Sequence, residues 1–414
     1  MRPGGANLAA SSRNTVASKT GVIVIGSGIG GLCCGGLLAR GGQEVLVLEA
    51  HSKPGGAAHG FGKTYHYESG PSLWSGLGRW PSSNPLTQIL RALGQELEVI
   101  EYRDWDVLFP EGHLRIGVGN ADFEAVVQQL RGPGAVAEWQ RFMQVLQPIA
   151  AAADALPLLA LRPGADVMAQ LLRRGGQLLP HLGAMRHLGG AFGPLVNQHL
   201  SDPFLRHWVD LLCFLISGLP MEGTNAAAMA TLFGQWFEPD ACLDFPKGGS
   251  KAVVMALVRG LESHGGELRL RSRVRRVLLE GDRAIGVELE SGEQIHAEHV
   301  VSNADVWSTL KLLPDGVAQR WQRQRGATPA CGSFLHLHLG FDATGLDDLP
   351  IHTVWVGDWE RGITAERNAV VVSIPSVLDP AMAPAGRHVL HAYTPANEPW
   401  DLWQDLERDS PAYQ

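Results

Sequence analysis

Cysteine is scarce: the 414 residues hold five, Cys33, Cys34, Cys213, Cys242 and Cys331, and no two form a CxxC pair. That excludes a disulfide framework, argues against a structural zinc site, and fits a reducing compartment. Charge is also sparse, at 18% of residues, with no basic tract and a formal net charge of -8. Nucleic acid is therefore not an expected partner. No apolar run reaches the roughly 18 residues of a membrane span, so no transmembrane helix is expected. No period of about 20 to 50 residues recurs, which excludes a repeat protein. The first 20 residues lack Asp and Glu but carry Arg2, Arg13 and Lys19. That composition fits a short organellar transit peptide or a loose tail, and it lacks the apolar centre of a secretion signal.

What is abundant is glycine, 50 residues of it, at turns rather than in a low-complexity tract. The chain is long enough for two or three domains with full cores. Residues 22–25 and 45–48 read as short strands, and Gly28 to Gly41 between them reads as a helix, which makes a βαβ unit. At its first turn stands "VIGSGIGGL", where Gly26, Gly28 and Gly31 form G-x-G-x-x-G and Gly30 adds a fourth glycine. Such a turn lets the backbone approach a pyrophosphate, and the following helix start offers free N–H groups to it. Glu49 ends the second strand, at the position of an acid that binds ribose hydroxyls. A dinucleotide site is expected. Cys33 and Cys34 fall on its helix and read as small packing residues rather than redox thiols.

FAD or NAD is decided further on. After Glu49 comes "AHSKPGG", whose Gly55 and Gly56 place more backbone N–H beside a pyrophosphate. Then "YHYESGPSLWSG" carries Gly70, Pro71 and Ser72 in a segment able to approach a flavin ring or to be a plain surface loop. Residues 86–93 and 122–147 read as helices. The stretch 150–200 is rich in Leu, Ala and Gly, with scattered Arg. After "FPKGGS" a helix is expected over 249–263. The segment from Gly266 then alternates apolar and polar residues with turns at Gly281 and Gly292, a three-stranded antiparallel meander. "SFLHLHLGF" (Ser333–Phe341) is another strand.

These motifs together, with "VVSNADVW" closing the meander and "HAYTPANEPWDLW" near the end, resemble the phytoene desaturase and carotenoid (prolycopene) isomerase family of FAD proteins, with retinol saturases as cousins. The resemblance covers about residues 20–410. It implies an α/β fold of the glutathione-reductase-like, two-dinucleotide-binding-motif flavoprotein class: a FAD-binding Rossmann-like βαβ domain with an antiparallel meander, plus an α+β substrate domain. The implied layout is a tail over 1–20, a discontinuous FAD domain at 21–78 and 242–310, and a substrate domain at 79–241 and 311–414. The latter would carry a helical, membrane-facing insert at about 155–200. Gly26, Gly28, Gly30, Gly31, Glu49, Gly55 and Gly56 would hold the ADP half of FAD. Val274 would contact adenine through its backbone, Ser302 and Asn303 would return the chain to the cofactor, and Gly70, Pro71 and Ser72 would lie near the isoalloxazine. Ala57 stands where amine-oxidase relatives have Arg, which agrees with the carotenoid branch. The family's closing glycine-rich segment is not found before Gln414, so weak FAD binding is expected of this stretch alone.

The resemblance implies a carotenoid cis–trans isomerase, of the type that turns poly-cis into all-trans lycopene. The alternatives are a desaturase or saturase of polyenes, or a catalytically silent carotenoid binder. It implies a hydrophobic polyene substrate, a membrane surface, a quinone or NAD(P)H-linked electron partner, and a peripheral place in a plastid or a cyanobacterial-type cytoplasm. No catalytic residue is named by the sequence, and no metal ligand set is expected. His336 and His338 alternate on one strand face, as cavity lining or as a polar sheet face. Glu68 is a candidate proton group or a structural acceptor, and Lys247 a turn residue. Trp74, Trp80, Trp236 and Phe237 are candidates for a tunnel wall or for ordinary core.

Overall fold

The computed structural model describes residues 18–414 apart from 71–72, 157–168, 170–171, 174, 315, 330–331, 403–405, 408–409 and 412–414. Pro71, Ser72, most of the expected tail and much of the expected insert thus lie outside the described residues. The chain opens with β1 (Ser18–Ile25), α1 (Ile29–Arg40) and β2 (Val45–Leu48), the unit the sequence predicts. β1 begins inside the stretch expected to be tail, because Ser18, Lys19 and Thr20 pair with Ile295, His296 and Ala297. Two short strands follow, β3 (Gly60–Phe61) and β4 (Tyr67–Glu68), then α2 (Pro85–Ala92).

Next come β5 (Val99–Tyr102), β6 (Asp104–Phe109), β7 (Gly112–Gly117), α3 (Asn120–Arg131) and α4 (Pro133–Ala155). The single helix expected over 122–147 is therefore two. Gly132 sits at φ +83 between them, and Pro133 opens the second helix, where its missing N–H costs nothing. α5 (Phe192–His199), α6 (Pro203–Ser217) and α7 (Ala226–Trp236) extend the helical layer. β8 (Leu243–Pro246), α8 (Ser250–Ser263) and β9 (Glu267–Arg269) lead into the meander β10 (Val274–Glu280), β11 (Arg283–Leu289) and β12 (Gln294–Ser302). After α9 (Val306–Leu312) and α10 (Gln319–Gly326) come β13 (Ser333–Asp342), β14 (His352–Val356), β15 (Ala369–Ser373) and β16 (Arg387–Glu398).

The described strands form two six-stranded sheets and two small pairs. The first sheet has the order β10-β11-β12-β1-β2-β9, and the second β13-β16-β15-β14-β6-β7. β9 opens the stretch expected to be meander, yet it pairs parallel with β2 and extends the other side of the sheet. The near-continuous apolar runs Val22–Ile25 and Val45–Leu48 are buried on both faces, as parallel strands covered on both sides must be. One face packs on α1, α2 and α8 through Leu32, Val47, Leu93, Val254 and Leu257. Tight packing there uses small residues: a Cβ on Gly35 would stand 2.9 Å from Val47.

The second sheet buries one face under the helical layer, where Trp139, Phe142, Trp208 and Phe233 pack against Val354, Val356 and Val371. Emptying one such aromatic site typically costs about 3–5 kcal/mol. Along β14 and β15 the buried face is apolar at Val354, Val356, Ala369 and Val371, then turns polar at His352 and Ser373. No helix among the described residues is long and apolar enough to cross a membrane.

Candidate functional site

The parallel strands β1, β2 and β12 end together, and the loops leaving them share one hollow. α1 starts from Gly28, which has no side chain to cap it, and the first bond back is Leu32 N–H to Gly28 O (3.0 Å). The N–H groups of that first turn are left for an anion, and the helix dipole favours one. Gly31 has no alternative: a Cβ there would stand 2.1 Å from Gly26 O. Gly55 bridges to Gly28, donates its N–H to Ser27 O (2.9 Å) and sits at φ +116. Gly26, Gly28, Gly30, Gly31, Gly55 and Gly56 are thus brought together. Asn303 N–H donates to Ile25 O (2.8 Å), and its side-chain amide lies across the start of α1, with Oδ1 2.8 Å from where a Gly30 Cβ would be. A diphosphate fits this cradle, with the Asn303 amide as a further polar partner.

Glu49 closes the hollow. Its carboxylate accepts from Ser27 N–H (2.9 Å), Ser27 Oγ (2.6 Å) and His51 N–H (2.8 Å). Partial burial would raise its pKa, yet the bonds from Ser27 and His51 outweigh that and hold the carboxyl below its usual range. It is an anionic acceptor just after β2, bonded to the same turn as the glycines. Ser302 ends β12 opposite Ile25, and its Oγ pairs with Thr309 Oγ1 (2.7 Å). Val274 is buried in the sheet core; the Glu49 backbone donates its N–H to Arg269 O (2.9 Å) and accepts at its carbonyl from Ser272 N–H (2.7 Å).

A second polar group gathers where β4, β8 and the inward face of the second sheet meet. A Gly70 Cβ would stand 2.3 Å from Ala57 O, so this segment lies against the chain just after the second glycine pair. Ser69 Oγ also bonds Ala57 O (2.8 Å) and His59 O (2.7 Å). Glu68 is buried and accepts from the Ser250 hydroxyl (2.8 Å) at the start of α8. Burial pushes its pKa up, against the lowering effect of the bonds from the Ser250 N–H and hydroxyl. The structure gives it a structural partner in Ser250.

His338 Nε2 lies 2.9 Å from the Glu68 carbonyl, which can only accept, so Nε2 carries the proton and donates it. Opposite it in register stands His391, a residue that sequence reasoning missed. The row continues to Ser373 and His352, whose Nδ1 bonds Ser373 Oγ (2.8 Å) and whose Nε2 bonds Tyr102 Oη (2.7 Å). Desolvation lowers the pKa of His352 and of His391 to about 3, so both are neutral bases at working pH. The only sequence signal for His391 was its place in an alternating strand; its neighbours His336, His338 and Ser373 lie on other strands.

His336, His338 and His391 bring three ring nitrogens within 4.8 Å of one another. A metal ion does not suit them as arranged. His336 Nδ1 and His391 Nε2 face each other at 2.7 Å, His338 Nε2 is taken by Glu68 O, and the three rings lie within 11° of parallel. Ligand lone pairs must converge on a metal at about 2.0–2.1 Å.

The remaining candidates separate. Phe237 is buried, Trp236 is partly buried, and both pack in the core of the helical layer. Trp80 is 57% exposed beneath Arg91. Trp74 bridges to Asp244, and its Nε1 has no partner among the described residues. Lys247 is paired with Glu98 (2.7 Å), which suits a turn. Burial pushes the Cys33 thiol up to about 11, as befits a packing residue. A cavity of about 710 Å³ lies between β3–β4, α8 and residues 379–382, with Phe61, Tyr67, Val254, Met255 and Met382 in its walls beside Lys53 and Lys251.

The sequence profile of the flavin containing amine oxidoreductase family matches residues 29–411. The chain belongs to that family, and FAD is its cofactor. It is 29% identical over 398 residues to prolycopene isomerase 1, chloroplastic, of an Oncidium hybrid cultivar, across 93% of this chain and 66% of that protein. The chain thus spans just under two thirds of that relative's length. It is 24% identical to the 4,4'-diapophytoene desaturase (4,4'-diapolycopene-forming) of Methylomonas sp, across 92% of this chain and 74% of that protein. A solved oxidoreductase from Methanosarcina mazei shares the fold, with TM-score 0.60, 19% identity, and 91% and 79% of the two chains covered.

Proposed function

We propose that this protein is an FAD-dependent carotenoid cis–trans isomerase that takes a poly-cis polyene of the lycopene type. The observation that carries this reading is the 29% identity to a prolycopene isomerase across 93% of the chain. Gly26, Gly28, Gly30, Gly31, Gly55 and Gly56 hold the ADP half of FAD, with Glu49 on the ribose and Asn303 beside the phosphates. When bound and reduced, FAD would supply electrons reversibly to a conjugated chain. This protein's part is to hold the polyene, orient it and exclude water. The apolar walls of the cavity beside Phe61 and Met382 support a hydrocarbon ligand.

The second reading is a polyene desaturase or saturase, favoured by the match to the diapophytoene desaturase. One experiment separates them. The FAD-loaded protein, reduced without oxygen, is incubated with poly-cis lycopene. A product of unchanged mass supports the isomerase, and a change of two mass units supports the second reading. A protein that binds the polyene and changes it in neither way is a silent binder.

The substrate is insoluble in water, so we further propose peripheral membrane docking through the stretch around 155–200. Leu172, Leu179 and Leu182 there are 76%, 65% and 60% exposed, with Arg173 and Arg186 close in sequence. Exposed leucines with cationic neighbours suit a bilayer interface. The protein should sediment with liposomes, and changing the three leucines to Ser should leave it in the supernatant. Equal sedimentation of both forms would refute the docking. The donor that reduces the flavin is a quinone- or NAD(P)H-linked partner in a plastid or a cyanobacterial-type cytoplasm.

A further inference from the structure

A neutral polyene makes no use of the charge around the cavity of about 710 Å³. Lys53, Lys63 and Lys251 all line it and all are exposed, and none has an ion-pair partner among the described residues. Two of them converge on one point of β3. Lys53 Nζ lies 3.4 Å from Gly60 O, and the Lys251 side chain comes within 3.2 Å of where a Gly60 Cβ would stand. Lys63 follows in the turn between β3 and β4. The one carboxylate among the described lining residues, Asp379, is buried and turned to backbone instead: it accepts from Gly248 N–H (2.8 Å) and Ala381 N–H (3.2 Å). The whole chain carries a net charge of -8, so three cations without an acid run against its composition. Beneath them the wall is apolar. Val254 and Met382 are buried, and the Phe61 and Tyr67 rings lie 5.3 Å apart. Ammonium groups at the edge of an apolar cavity match an anionic head on a hydrocarbon body: the charges pair at the wet end, and the chain leaves water at the other.

We propose that this cavity binds a long-chain carboxylate of the fatty-acid type, with its head on Lys53, Lys63 and Lys251 and its chain along Phe61, Val254 and Met382. The head stays at the mouth, because a carboxylate drawn inward would lose both water and the lysines. The chain takes the same walls as the polyene, so a fatty acid competes with the substrate for the cavity. The binding stands on the cavity and its lysines alone. The competition rests on the isomerase reading above, which places the polyene there.

The test is a fluorescence titration of the FAD-loaded protein with cis-parinaric acid, a conjugated fatty acid that emits when it leaves water, and with its methyl ester. The acid should bind saturably, and oleate should displace it. Lys53→Gln, Lys63→Gln and Lys251→Gln together should weaken the acid about 10-fold and leave the ester unchanged, since exposed ion pairs are individually modest. The same three positions changed to Arg should keep the affinity for the acid. Raising the salt should weaken the acid in the wild type and not in the Gln variant. Met255→Trp, which fills the cavity from α8, should remove saturable binding of acid and ester alike. Equal affinity for the acid in the wild type and the Gln variant would overturn the lysine head site. Undiminished binding by Met255→Trp would overturn the cavity as its place. Neither result touches the isomerase reading, which fails only if the wild type leaves poly-cis lycopene unchanged. Isomerisation that bound oleate does not slow would overturn the competition.

Discussion

The two large sheets build their polar ends from different material. In the first sheet the site is backbone: N–H groups at the start of α1, a bridge between Gly28 and Gly55, and a carboxylate on Glu49 bonded to the same turn. In the second sheet the polar end is side chain: a row from His338 through His391 and Ser373 to His352, set by the register of four strands. A backbone site needs particular glycines close together in sequence. A side-chain row needs only that distant strands align, and each position accepts several residue types.

The sharpest way to break the first kind of site is to add one carbon. Gly31→Ala places its Cβ at the 2.1 Å approach to Gly26 O, and FAD affinity should fall roughly 100-fold while the second sheet stays folded. Flavin fluorescence measures the former and near-UV circular dichroism the latter. Retained affinity would show that the cradle is not the site.

The core beneath the second sheet tolerates less than its surface. Trp139→Ala should lower the unfolding free energy by about 3–5 kcal/mol, read from denaturant midpoints. Trp139 is fully buried against Phe123, Phe142 and Phe237. A loss under about 1 kcal/mol would mean that this packing is misplaced.

Glu49→Gln keeps the shape of the acceptor and removes its charge. Hydrogen bonds to charged groups are worth about 1.5–3 kcal/mol, so FAD affinity should fall roughly 10-fold to 100-fold. The pH dependence has a definite sign. The carboxyl is held below its usual range in the folded chain, so its stabilisation is complete above the unfolded value and is lost as pH falls through the folded value. The Gln variant should lack this loss.

The smallest effect belongs to the histidine row. His352 and His391 have folded pKa values of about 3, far below the ordinary 6.5. The unfolded chain therefore binds more protons below pH 6.5, and stability declines as pH falls from there toward 3. Replacing both by Gln should flatten the decline of the urea midpoint between pH 6.5 and 5. An equal slope in the variant would contradict the burial of these rings.

The same contrast explains how much was legible beforehand. The first sheet's βαβ unit, its meander and the cradle follow from local pattern: glycines at fixed offsets, an acid after the second strand, alternation with turn residues. β9 was misplaced because "ELR" alternates as well in a meander as beside β2, and only the tertiary pairing decides. The long helix over 122–147 was overdrawn where Gly132 and Pro133 divide it. His391 was missed because its meaning lies in His336 and Ser373, on other strands. Trp236 and Phe237 follow helical spacing, which does not separate a cavity wall from a core.

The most direct measurement for the account as a whole is a titration of the cofactor-stripped chain with FAD, followed by flavin fluorescence and repeated with excess ADP. The backbone cradle predicts saturable binding of one FAD per chain, displaced by ADP because both claim the glycines and Glu49. Unsaturable binding, or FAD binding indifferent to ADP, would contradict it.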